Sequence, residues 1–202
     1  MPFPDEAENV LRVVAYRPQW AGEFTRLAEE LAHLLGGLVG SIDHVGSTSV
    51  PGLAAKDVID VQVRLPVLDE ALLTSRLVPA GYRQRPEAWN RQEISAGERC
   101  AKLVFAPAVG ARAANIHIRP LGGANTRWAL LFRDYLRADD DVRASWGAFK
   151  TELAATTTDL QRYGQVKQPA MAVLLAGAER WAADQAWAPS SVGDRALAAP
   201  LP

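Results

Sequence analysis

Sulfur, histidine and surplus charge are all scarce in this 202-residue chain. Cys100 is its single cysteine, so no disulfide can form within the chain, and a lone thiol suits a reducing compartment and a structural role. Twenty-two Lys and Arg stand against 23 Asp and Glu, with no basic block, which argues against nucleic acid as a partner. Long apolar runs are missing too. The longest, residues 170–176, falls well short of the roughly 20 residues a membrane helix needs, so no membrane partner is expected. The first ten residues, MPFPDEAENV, lack a basic segment followed by an apolar one, and the expected location is the cytoplasm.

What is present is enough for one sizeable core: 49% of the residues are hydrophobic. Phe24, Leu27, Leu31, Leu34 and Leu35 recur at three- and four-residue steps behind Pro18 and stop at Gly36, predicting an amphipathic first helix. Residues 41–45 and 58–65 read as strands, as do 102–106 and 114–119. A short helix is expected over 69–77, and a hairpin or long loop over the polar stretch to 98. Helices follow over 128–137, 141–157 and 168–187, the last with Pro169 in its first turn. Residues 1–187 thus form a single domain, and 188–202, rich in Ala, Pro and Ser, reads as a disordered tail. Strands gathered before a helical third predict an α+β domain with a mixed or antiparallel sheet, not a doubly wound parallel one.

Chemistry concentrates in residues 44–63, HVGSTSVPGLAAKDVIDVQV. Gly46 lets the backbone pass close to a ligand, and the N–H groups and hydroxyls of Gly46, Ser47, Thr48 and Ser49 form a candidate phosphate cradle, with Lys56 adding a point charge. The Walker spacing G-x-x-x-x-G-K-[ST] is absent. An acid amid Val58, Ile59, Val61 and Val63 is costly unless it meets a cation, a metal or a solvated cleft, which singles out Asp60. Alternation along the strands puts Asp60, Gln62 and Arg64 on one face, and Asn115, His117 and Arg119 on one face of theirs. If those strands are neighbours, the two ladders form an active-site floor. His44, Asp60 and His117 could make a two-histidine, one-carboxylate metal site, His117 could serve as general acid or base, or the histidines could simply order the loop. Arg133 and Asp134 are adjacent on one helix and expected to diverge, one of them toward the cleft. Lys150, Tyr163 and Lys167 are candidates to close over an anion.

These segments, HVGSTSVPGLAAKDVID, ANIHIR, FRDYLR, the helical Lys150 and the Tyr163-x-x-x-Lys167 pair, resemble the GrpB family, also called UPF0157, from about residue 16 to 181. They also resemble the GrpB-type domain appended to some actinobacterial dephospho-CoA kinases. The resemblance implies a nucleotidyltransferase-like fold related to polymerase β, in which a Gly-Ser turn holds a nucleoside triphosphate and strand acids bind divalent metal. Gly46 and Ser47 match that turn and Asp60 matches the first acid. Gln62 stands where a second carboxylate is normally found, and His117 where a third strand would bring another acid. The expected function is therefore nucleotidyl transfer from a nucleoside triphosphate, or a similar phosphorylated small molecule, to a small acceptor. Ser47, Lys56 and Lys150 would hold phosphates and Asp60 a divalent metal, magnesium or a transition metal. Two other expectations stand beside it: an enzyme using His44, Asp60 and His117 as a metal or acid/base centre on a small anionic metabolite, and a non-catalytic module that binds a phosphate-bearing ligand.

Overall fold

The computed structural model describes residue 3 and residues 11–157, 159–191, 193 and 194. Of the stretch read as a tail, position 192 and positions 195–202 lie outside the described residues. Strand β1 (Val13–Val14) leads into helix α1 (Gln19–Leu35), whose Trp20, Phe24, Leu27, Leu31 and Leu35 are buried, the stripe that the apolar spacing predicts. Strand β2 (Ser41–Val45), a 3-10 turn over Ser47–Ser49, β3 (Ala55–Lys56) and β4 (Ile59–Leu65) follow. Helix α2 (Glu70–Leu77) is capped by Asp69, whose carboxylate accepts from the Leu72 N–H at 3.0 Å.

The polar stretch beyond α2 contains β5 (Arg83–Gln84) and a hairpin of β6 (Gln92–Ser95) and β7 (Glu98–Ala101). Its two-residue turn carries Ala96 and Gly97 at positive φ, the geometry of a tight hairpin turn. Strands β8 (Leu103–Ala106) and β9 (Ala114–Pro120) complete the main sheet, in the order β2-β4-β9-β8-β5. Only the central β4–β9 pair is parallel, so the sheet is mixed. Their register sets Asp60 beside Asn115, Gln62 beside His117 and Arg64 beside Arg119, and the two polar ladders are neighbours on one face.

The opposite face is apolar. Ile59, Val61, Val63, Ile116 and Ile118 are fully buried there against α1 and α2, and each side chain so buried stabilises the fold by about 1.5–3 kcal/mol. A second cluster, with Val50, Leu53, Phe132, Leu136, Trp146 and Leu175, knits three C-terminal helices to the loop after β2. These are α3 (Ala124–Ala138), α4 (Asp140–Thr156) and α5 (Leu160–Asp184). Helix α5 begins eight residues before the expected start because the Asp159 side chain caps it, accepting from Gln161 N–H at 2.8 Å, and Pro169 therefore sits inside the helix. Between the polar sheet face and this helical layer lies the cleft. Among the described residues no helix is long and apolar enough to cross a membrane.

Candidate active site: a lysine-rich cleft over Asp60

The cleft has a volume of about 430 Å³ and is polar at one end, apolar at the other. Its floor is the strand pair β4–β9, carrying Asp60, Asn115, His117 and Arg119. One wall is the turn after β2. Gly46 takes φ 69°, ψ −170°, and passes so close above Asp60 that a Cβ on it would lie 2.3 Å from Oδ2. Only glycine fits both the backbone angle and the space. The turn is closed by its own bonds, since the Ser49 hydroxyl and N–H donate to Gly46 O at 2.6 and 3.3 Å. The far wall comes from α4 and α5, with Lys150, Tyr163 and Lys167, and the apolar end from Trp128, Phe132, Met171 and Leu175.

Lysine dominates the electrostatics. Lys56 and Lys167 each place the ammonium nitrogen 5.8 Å from the centroid of the Tyr163 ring, so two cations share one aromatic side chain. Lys150 is 3% exposed and donates to Ala54 O. Burial, then repulsion from Lys167, lowers its pKa to about 7, against partial restoration by Asp60. Burial likewise lowers Lys56 and Lys167, the latter helped by Lys56. Burial pushes the Asp60 carboxyl upward, but the His117 contact, the Asn115 hydrogen bond at 2.9 Å and Lys56 outweigh it and hold Asp60 below its ordinary value. Its partner His117, with Nε2 3.7 Å from Asp60 Oδ1, is lowered by burial, with Arg119 and Lys102 adding to the effect of burial and Asp60 opposing it. At neutral pH the floor therefore carries an ionised Asp60 beside a neutral imidazole.

Of the residues singled out from the sequence, Gly46, Ser47, Thr48, Lys56, Asp60, His117, Arg119, Lys150, Tyr163 and Lys167 all line this cleft. Four others do not. His44 pairs with Val61, on the face opposite Asp60; its ring stacks on Phe24 at 4.6 Å and its Nε2 meets the Thr48 hydroxyl at 3.0 Å. The expected His44/Asp60/His117 metal site is thus split by the sheet, and burial holds His44 neutral with a pKa of about 4. Gln62 is wholly buried, its oxygen accepting from Arg119 at 2.7 Å and its amide donating to Thr126 O at 3.4 Å. Ser49 spends its hydroxyl on the turn. Arg133, the candidate of that pair for the cleft, instead donates to Asp134 at 2.7 Å, to His44 O at 3.2 Å and to Asp194 at 2.8 Å. The neighbours Arg133 and Asp134 do meet, because the long guanidinium arm bends back over its own helix.

Lining residues that escaped the sequence reading include Glu93 and Trp128. Glu93, from the polar stretch before β7, accepts from Arg119 at 3.1 Å, Lys102 at 2.8 Å and Asn125 at 3.0 Å. Burial raises it, and Arg119 and Lys102 overcome that to bring it to about 2. Asn115 orients Asp60, and Trp128 walls the apolar end. A signal for the site was present in plain counts. Lys56, Lys102, Lys150 and Lys167 are the chain's lysines, and all its other basic residues besides histidine are arginine. Three of the four line the cleft and the fourth holds Glu93.

Divalent metal fits this donor set poorly. Magnesium takes a near-octahedral shell of hard oxygens and is usually bound through carboxylates and substrate phosphates. Among the described lining residues the carboxylates are Asp60 and Glu93; Glu93 is spent on Arg119, Lys102 and Asn125, the Gln62 oxygen belongs to Arg119, and the lysines repel a cation. Among the described residues no three His, Cys, Asp or Glu side chains are grouped closely enough to hold a metal ion.

The helix-strand-turn-strand frame, with a glycine-serine turn closing over a strand acid on a mixed sheet, is the α+β arrangement expected from the GrpB resemblance. A family model described as GrpB protein matches residues 10–176, and the chain belongs to the GrpB family. It is 34% identical over 154 residues to UPF0157 protein SCO7215 of Streptomyces coelicolor, covering 75% of each chain. It is also 34% identical over 201 residues to a dephospho-CoA kinase of Mycolicibacterium paratuberculosis, covering 91% of this chain and 49% of that one. The chain spans about half the length of the dephospho-CoA kinases it matches. The crystal structure of the conserved protein GrpB from Enterococcus faecalis is similar in fold, with a TM-score of 0.71 at 26% identity, covering 84% of this chain and 99% of that one.

Proposed function

We propose that the cleft binds a nucleoside triphosphate, or a similar phosphorylated small molecule, and transfers its nucleotidyl group to a small acceptor in the cytoplasm. The observation that carries this is the Gly46-Ser47 turn closing over Asp60, faced by Lys56, Lys150 and Lys167. Such a turn presents backbone N–H groups to phosphate oxygens, and the ammonium groups neutralise charge that builds up during transfer. Asp60, with His117 Nε2 beside it, then faces the acceptor, the carboxylate taking the hydroxyl proton as general base while pyrophosphate leaves a nucleoside triphosphate. The apolar end, with Trp128 and Phe132, would receive the base or acyl part. Calorimetric titration with the four common nucleoside triphosphates tests the binding step. Absence of heat with all four, with and without magnesium, would remove nucleotide as the ligand.

Gln62 in place of a second acid favours a second reading, a phosphate-ligand module without catalysis. An Asp60→Asn variant that keeps full cellular function supports the module, and one that loses function while still binding ligand supports the enzyme.

A further inference from the structure

Lysine placement and carboxylate shortage have one explanation in common. We propose that this cleft binds its phosphate ligand as the free polyanion, with Lys56, Lys150 and Lys167 supplying the charge neutralisation that divalent metal would otherwise give. The inference rests on the cleft being a phosphate site, as proposed for its function.

The charge balance of the lining favours it. Arg119 is paired with Glu93, so the two cancel and neither is spare for a ligand. Asp60 then remains alone against three lysines. An empty cleft of that composition is self-repelling, visible in the lowering of Lys150 by Lys167 and of Lys167 by Lys56. A triphosphate without metal relieves the repulsion, whereas a magnesium complex brings fewer negative charges and sets a cation among ammonium groups. Lysine suits the task better than arginine because its compact ammonium is a point charge that three side chains can bring together on one phosphate chain. In a chain that uses arginine nearly everywhere else, clustering of lysine here is chemical selection by the site and not background composition.

Calorimetry on the full chain, with ATP and with inorganic tripolyphosphate as probes, each in EDTA and in excess magnesium, tests the inference. The expected result is binding in EDTA that magnesium weakens by at least about fivefold, and that Lys167→Met weakens by about 10- to 100-fold, the loss of one charge-assisted contact. Arg76→Met, an exposed cation of α2 on the far side of the sheet from the cleft, should leave the EDTA affinity within about threefold. Binding that requires magnesium overturns the inference and leaves the proposed function standing. No binding of either probe in either condition overturns both. Tripolyphosphate binding without ATP binding keeps the metal-free site and moves the ligand away from nucleotides.

Discussion

Gly46 lies against the Asp60 carboxylate so closely that a methyl group at Gly46 would stand 2.3 Å from Oδ2 and 2.9 Å from Asp60 Cβ. The obstacle is the acid's own stem, so the clash cannot be relieved by swinging away a flexible tip. A Gly46→Ala chain must also hold an L-residue at φ 69°. We expect a stability loss of about 1–3 kcal/mol in urea unfolding, with ligand affinity down by more than about tenfold as turn and acid separate. Unchanged stability together with unchanged affinity would contradict this close approach.

Lys150 makes ligand binding a protonation event. With its pKa at about 7, much of its ammonium is deprotonated at pH 8 in the free protein, and a phosphate nearby restores the charge. Binding should therefore take up as much as about one proton at pH 8 and little at pH 6, and affinity should fall as pH rises from 7 to 9. Titration in buffers of differing ionisation heat reads the uptake directly. Lys167→Met should raise the Lys150 pKa by removing the repulsion that lowers it, and carbon-13 labelling at lysine Cε follows this with four lysine signals in the wild type and three in the variant.

Much of this architecture was legible in the sequence because its strands alternate cleanly. Asp60, Gln62 and Arg64 against Ile59, Val61 and Val63 established faces, and the structure needed only to make β4 and β9 neighbours. The same alternation rule, carried from β4 into β2, would have excluded His44 from the metal site, since its partner is Val61. What alternation does not convey is which polar groups spend themselves on one another. Gln62 and Arg119 share the ligand-facing side yet bond together, and Arg133 is drawn off by Asp194, which is 61 residues away in sequence. Glu93 was hidden for another reason: a four-residue strand in a polar hairpin has no periodicity long enough to register.

His44 should leave an acid-side signature on stability. Its folded pKa of about 4 lies below the ordinary 6.5, so below pH 6.5 the unfolded chain takes up a proton that the folded one refuses. This contribution is present in full above pH 6.5 and is lost progressively down to pH 4, at up to about 1.4 kcal/mol per pH unit. A His44→Asn chain should lose this share of the slope. The difference between wild-type and variant urea curves, measured from pH 7 to 4.5, isolates it, and parallel curves would show that His44 is not held neutral.

Arg133 and Asp194 tie the C-terminal segment to an open sheet edge. β2 is the edge strand of its sheet; its His44 N–H donates to the Asp194 carboxylate at 2.9 Å, and Gly193 lies so close that a Cβ there would come within 2.5 Å of Ile42 O. Ser190 adds a carbonyl that accepts from Arg64 at 2.9 Å. Uncovered edges offer unpaired N–H and C=O groups to other chains. Asp194→Ala should cost about 1–2 kcal/mol, because Arg133 keeps Asp134 and the His44 carbonyl while losing one charge-assisted partner. Ending the chain at residue 188 should go further and uncover β2 along its length. Sedimentation velocity should then show concentration-dependent association that the full chain lacks, with ligand affinity unchanged because the edge lies outside the cleft. Association without the truncation, or lost affinity with it, would mean that the segment serves the cleft and not the edge.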